Sequence, residues 1–452
     1  MTRIIFLVTL LITIACNTKL KTIQKDTTMK TGKPADWIKT TNVYEVNLRQ
    51  YTKEGTFNAF LKELPRLKDM GVQTLWFMPI TPIAQKNKKG TLGSYYAAAD
   101  YTSINPEFGT LDDFKNLVSQ AHEQGFKVII DWVANHTGWD HVWTKEHPEY
   151  YKIDSVTKNF AMASGMDDII ELDFNKPELR KAMIDAMRFW IKETGIDGFR
   201  CDLAFWVELP FWVEAKAELE KDKRLFWLGE LDPLVHPEYM RVFDAAYTWT
   251  WMHKTEEFYK NKLSVKTLDT VLERYQHTIG MKAWFTTNHD ENSWNGTEYE
   301  KYGDAAKALA VFSCTWPGVP LIYSGQELPN RKRLKFFEKD VIDWKDDYQL
   351  HSFYQTLLKL HSENPALNGD HTIASVSRLN TSAEDKVIAF RRKNENHEVV
   401  VLLNLSNETI NLEIKDQRIE GKFTEVFSKL ENNFLVNRNF KMNPWSYLVF
   451  EK

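Results

Sequence analysis

The sequence predicts an α/β fold: a closed (β/α)8 TIM barrel with an excursion after its third strand and a C-terminal all-β sandwich domain. Three observations predict it. Between about residues 42 and 364, eight short apolar runs alternate with amphipathic stretches. One irregular stretch, about 137–174, breaks that rhythm, and after about 366 the pattern changes to short alternating runs separated by turn-forming residues.

The strand candidates are NVYEVNL, VQTLWFM, KVIIDWV, DGFRCD, LFWLGE, AAYTW, AWFTTNHD and VPLIYSG, and eight is the number a closed parallel barrel needs. Between them lie helix candidates such as LDDFKNLVSQAHEQG, ending on Gly125, and PELRKAMIDAMRFWIKETG, ending on Gly195, where glycine suits a C-cap. The barrel is expected over 37–365 with the 137–174 excursion lying over its mouth, because a long irregular segment persists in a compact barrel when it has a function. Residues 366–452, with KVIAFRRK, EVVVLLNLS and SYLVFEK, form the β domain.

The chain opens MTRIIFLVTLLITIAC: a basic start at Arg3, then an apolar run too short to span a bilayer, which reads as an export signal over 1–16. TIAC resembles a bacterial lipoprotein box, with Cys16 lipidated and Thr13 where that box usually has Leu. Residues 17–36 are polar and read as a tether, so the protein is expected to be exported and lipid-anchored to a bacterial membrane, in the periplasm or at the cell surface. Cys201 and Cys314 fall on a predicted strand and a predicted helix and are expected to be buried free thiols, not a disulfide.

With 58 basic against 62 acidic side chains, the chain lacks the charge excess that nucleic acid or an anionic membrane surface would call for; a neutral partner suits it better. In a parallel barrel the strands aim side chains at one mouth from their C-terminal ends. Asp202, Glu230 and Asp290 lie at three such ends. A single acidic residue there would be an ordinary cap or solvated loop residue, but three with aromatic and polar neighbours point to glycoside hydrolysis with retention, which needs one ionised and one protonated carboxyl. Arg200 lies two residues before Asp202, so strand alternation points both inward; its charge favours the ionised form, which suits a nucleophile. Glu230 follows the apolar FWLG, where a raised pKa suits a general acid/base. Asp290, in TTNHDEN beside His289, is placed to hold sugar hydroxyls and stabilise an oxocarbenium-like transition state.

DWVANHTG (131–138), GIDGFRCDLA (195–204), FWLGE (226–230) and FTTNHDEN (285–292) resemble, in order and spacing, the signature regions of the α-amylase superfamily, glycoside hydrolase family 13. SYYAAADYTSINPEFGTLDDF and PGVPLIYSGQE are further matches. The resemblance covers roughly 40–365 and implies the same roles: Asp202 nucleophile, Glu230 acid/base, Asp290 stabiliser. It also implies that His136, His289 and Arg200 line the sugar subsite at the cleavage point with Tyr96 stacking on its ring, and that the substrate is an α-1,4-glucan or maltooligosaccharide. Transglycosylation, or action on sucrose or trehalose, belongs to the same family. A non-catalytic α-glucan-binding lipoprotein is the reading from another class, and it would be expected to have lost a carboxylate. The chemistry requires no cofactor; the resemblance implies a structural calcium at Asn135, with a carboxylate such as Glu171. Trp139, Trp143, Trp249 and Trp251 are candidates for further glucose subsites, whereas His141 and His253 lack ligand-spaced partners.

Overall fold

The computed structural model describes residues 36–344 and 348–452; the signal and tether residues 1–35, with Cys16, lie outside the described residues. Eight parallel strands close the barrel: β1 (Val43–Val46), β2 (Thr74–Phe77), β3 (Lys127–Trp132), β6 (Gly198–Cys201), β7 (Phe226–Gly229), β8 (Ala245–Tyr247), β9 (Met281–Trp284) and β10 (Val319–Tyr323), which returns to β1. Each falls on or overlaps one predicted run. The excursion after β3 carries a two-stranded antiparallel ribbon, β4 (His136–Gly138) and β5 (Ile169–Glu171). Gly138 is required there by close approach, since a Cβ would stand 2.0 Å from the Ala84 methyl.

Alternation along the strands divides the core. Val43, Trp76, Ile129, Leu228, Ala283 and Leu321 fill the barrel interior, while the opposite faces pack against the surrounding helices. The helix Leu111–Glu123 starts on a capping box in which the Thr110 hydroxyl accepts from the Asp113 N–H and the Asp113 carboxylate accepts from the Thr110 N–H. Gly195 closes Pro177–Thr194 in the left-handed conformation (φ 73°), as its position in the sequence predicts.

The C-terminal domain contains β11 (Ser375–Arg378), β12 (Val387–Asn394), β13 (His397–Asn404), β14 (Ile410–Glu413), β15 (Lys422–Glu425), β16 (Glu431–Asn433), β17 (Asn439–Met442) and β18 (Tyr447–Glu451). A six-stranded sheet, β11-β12-β13-β18-β15-β16, faces the β14-β17 ribbon across Val400, Leu402, Leu412, Met442 and Phe450, which makes the predicted sandwich. Its other face, through Phe390 and Val401, joins the barrel's outer core against Phe312 and Trp316. Buried Arg392 adds hydrogen bonds to the carbonyls of Thr315 (2.9 Å) and Asn368 (2.7 Å). Cys201 and Cys314 are buried free thiols, as expected.

Candidate active site

The barrel interior is apolar up to its C-terminal rim, where alternation brings charged residues onto the inward positions. Glu45 follows Val43 by two residues, Asp131 follows Ile129, and Glu230 follows Leu228. Arg200 and Asp202 share the phase of β6. The ladder runs one residue past β6 and β7, with Asp202 N–H donating to the Trp132 carbonyl at 3.0 Å and Glu230 N–H to the Cys201 carbonyl at 2.9 Å. Backbone hydrogen bonds therefore fix both carboxylates relative to the barrel.

Arg200 is fully buried and is the centre of the site. Its Nη1 donates to Asp131 (3.0 and 3.2 Å) and to Asp202 Oδ1 (3.0 Å), and its Nη2 lies 2.8 Å from Glu230 Oε2. The guanidinium also lies 4.9 Å from the centre of the Trp76 ring and 5.4 Å from that of Tyr247. The sequence predicts an ionised Asp202 beside Arg200 and a protonated Glu230; in the structure, burial pushes both carboxyls up to about 7 against the opposing pull of Arg200. The difference arises because one cation is shared among three buried carboxylates, and desolvation outweighs its divided attraction. Asp131 is pushed up to about 6 by the same burial. Asp202 and Glu230 are thus both poised to gain or lose a proton near neutrality, and the nearby charges of Asp131 and Asp290 add to the upward push on Asp202.

Glu230 receives one more hydrogen bond, from the Leu203 N–H at 2.9 Å. Leu203 is in a left-handed conformation (φ 37°), an unusual backbone for leucine that turns this N–H toward the carboxylate.

Asp290 is carried differently. β9 ends at Trp284, earlier than predicted; residues 285–288 form a loop held by side chains, and His289 and Asp290 open the helical turn that follows. Thr286 is bonded to buried Glu298, and Asn288 Oδ1 accepts from the Glu291 N–H at 2.8 Å. His289 Nδ1 pairs with Glu45, and its Nε2 lies 2.7 Å from the Tyr96 hydroxyl and 3.3 Å from Asp290 Oδ2. Burial opposes the imidazolium, but Asp290 and Glu45 outweigh it and raise the His289 pKa well above the usual histidine value. Protonated His289 donates at both nitrogens, and the Tyr96 hydroxyl in turn donates to Asp131 Oδ2 at 3.1 Å. Asp290 itself, with its side chain 37% exposed, is held below the usual carboxylate range: burial raises it, and the His289 charge more than compensates.

Tyr96, Arg200, Asp202, Glu230, His289 and Asp290 therefore come together as the sequence predicts. The Tyr96 ring stacks on His289 (5.4 Å between centres, 18° between planes). His136 is buried beside the Tyr96 backbone, with burial lowering its pKa to about 4 and its Nε2 left without a protein partner.

The side chains expected to hold calcium are engaged with protein groups. Glu171 is taken by the Lys152 ammonium at 2.7 Å, and the Asn135 amide nitrogen lies 3.4 Å from His136 Nδ1. Among the described residues, no three His, Cys, Asp or Glu side chains converge on a common point, whereas calcium takes six to eight oxygens. The tryptophan expectations also change. Trp251 is buried and stacked on Phe312, and Trp143 packs between Tyr101 and Tyr150. Trp249 packs on Tyr247 and Phe285, and Trp139 donates to the Asp167 carbonyl under Lys86. Of the four only Trp251 is fully enclosed; Trp139, Trp143 and Trp249 are half-buried against these protein groups. His141 is a core histidine packed on Tyr101.

Sequence reasoning missed Glu45, Asp131 and Trp294. The first two had a legible signal: a carboxylate in phase with the inward apolar residues of a barrel strand. Trp294, whose indole reaches Asp290, had none, because its place depends on how the loop after β9 turns.

Buried carboxyls with raised pKa values gathered around one arginine at the C-terminal mouth of a (β/α)8 barrel fit an enzyme of the glycoside hydrolase class. The chain belongs to the alpha-amylase family: that family's catalytic-domain model matches residues 26–168 and 148–341. It is 28% identical over 390 residues to alpha-amylase MalA of Haloarcula japonica, covering 82% of this chain and 56% of that protein, so it spans little more than half of that relative. It is 25% identical over 433 residues to a maltogenic alpha-amylase of Bacillus acidopullulyticus, covering 88% of this chain and 71% of that one. The crystal structure of a maltogenic alpha-amylase, AmyB, from Thermotoga neapolitana superposes with a TM-score of 0.83 at 28% identity, covering 92% of this chain and 99% of that one.

Proposed function

We propose that this enzyme hydrolyses α-1,4-glucosidic bonds in maltooligosaccharides and starch-derived glucans with retention of the α configuration. The observation that carries the reading is Arg200 holding Asp202 and Glu230 at once, with both carboxyls poised near neutrality. Ionised Asp202 attacks the anomeric carbon as protonated Glu230 gives its proton to the departing glycosidic oxygen, leaving a glycosyl ester on Asp202. Glu230, now ionised, takes a proton from water, whose oxygen attacks the same carbon and releases Asp202. Asp290, ionised beside His289, accepts from sugar hydroxyls and offsets the positive charge developing on the ring. The retained carboxylates and the names of the relatives support a hydrolase over a binding protein.

The test is NMR-followed hydrolysis of maltoheptaose, with pullulan, sucrose and trehalose in parallel, from pH 5 to 9. The first product should be the α anomer, and maltoheptaose should be the preferred substrate. The rate should fall on the acid side as Asp202 gains a proton and on the basic side as Glu230 loses one, with a maximum near pH 7. An initial β product would contradict retention, and preference for sucrose or trehalose would replace the substrate assignment.

The apolar run ahead of Cys16 supports a location outside the cytoplasm, with the enzyme tethered to a membrane through a lipid on that residue. Labelled palmitate should enter the wild-type chain and not Cys16→Ser; equal labelling would refute the anchor.

A further inference from the structure

Of the 16 tryptophans, Trp294 alone is exposed, at 51%. A single exposed apolar side chain is ordinary; the surroundings of this one are not. Its indole packs on Phe336 (5.3 Å between centres, 37° between planes) and Phe337 (5.6 Å, 55°). Phe336 in turn stacks near-parallel to Tyr96 (6.2 Å, 20°), which stacks on His289. A train of rings thus runs from the catalytic centre to the surface and ends on an open tryptophan.

The train is rigidly held. Trp294 lies in the π-helical turn Glu291–Asn295, a form frequent at functional sites. Asn292 staples that turn to the segment beneath it: its Oδ1 accepts from the Leu334 N–H at 2.9 Å and its Nδ2 donates to the Lys332 carbonyl at 3.2 Å. The Phe337 carbonyl accepts from the Leu92 N–H at 3.0 Å. Glu291 is ion-paired with buried Lys301 at the start of the turn. The exposed face is therefore presented in one orientation, which keeps the ordering cost of binding low.

We propose that Trp294, backed by Phe336, is a sugar-stacking platform for the glucose unit next to the cleaved one on the glycone side. The inference rests on the proposed substrate class. Its side of the site follows from the proposed chemistry: Glu230 stands where the leaving oxygen departs, whereas Trp294 reaches Asp290 directly and Tyr96 and His289 through Phe336, and in the proposed mechanism these groups serve the glycone ring. The C–H groups on a pyranose face are weakly positive and suit the negative face of an indole, which carries no charge requirement and accepts a neutral chain. Trp294 is thus a specificity-determining residue that favours oligosaccharides over single glucosyl units.

Binding of maltotetraose to the full chain tests this, with Glu230→Gln as the background so that the ligand survives. Titration calorimetry should show about tenfold weaker binding when Trp294→Ala is added, the loss of one large stacked face. Trp294→Phe should keep most of the affinity, because it retains an aromatic face without the N–H. Equal affinity in the alanine variant would overturn the platform. Equal loss in the alanine and phenylalanine variants would also overturn it, assigning the effect to the indole N–H beside Asp290. If Glu230→Gln alone does not take up maltotetraose, the substrate class falls and the platform with it.

Discussion

Asp202→Asn is expected to lower hydrolysis of maltooligosaccharides by roughly four orders of magnitude or more while the chain stays folded. The amide is close in shape to the carboxylate but cannot form the glycosyl ester. Folding should be unharmed for an electrostatic reason. Arg200 is shared among three buried carboxyls, and burial pushes Asp202 up to about 7 because its charge is poorly compensated. Removing that charge leaves the guanidinium paired with Asp131 and Glu230, so the melting temperature should hold or rise. Turnover on maltoheptaose and a thermal melt decide it, and undiminished turnover would sink the mechanism.

Arg200→Met should act in the opposite direction on stability. It removes a fully buried cation and leaves three carboxyls inside a low-dielectric rim without their partner. Breaking a buried pair of this kind costs about 3–5 kcal/mol. The sign with pH follows from the carboxyls: without Arg200 their folded-state pKa values rise further above those of the unfolded chain. The penalty is therefore largest at neutral and basic pH and shrinks as acid protonates them. Urea unfolding at pH 8 and pH 5 should show a deficit at the higher pH that narrows at the lower one. Parental stability at pH 8 would contradict the arrangement of charges described above. Catalysis should be lost too, because Arg200 touches both Asp202 and Glu230.

Much of this was written in local patterns. The barrel strands are short apolar runs, the helices end on glycines such as Gly195, and the period changes where the β domain begins. Arg200 and Asp202 could be paired from alternation alone, because a two-residue spacing within a strand sets a common direction. Asp131 and Glu45 could have been found by the same rule. Other features depended on residues far apart in the chain. Trp251 was a candidate for a sugar subsite, but it is buried against Phe312, since the identity of an aromatic does not reveal which surface will cover it. Glu171 had the chemistry of a calcium ligand, and Lys152 claims it from across the excursion.

By itself the sequence determined the barrel, the β domain, the three carboxylates and the family, because periodicity and strand-end placement are local properties that a chain states residue by residue. Only the tertiary structure decided the electrical state of the site. That state depends on how many carboxylates one buried guanidinium must serve and how far each is removed from water, and both depend on distances between strands that the sequence does not contain. The same closure left Trp294 as the single open tryptophan beside Asp290, a position set by the turn after β9 and the segment packed beneath it.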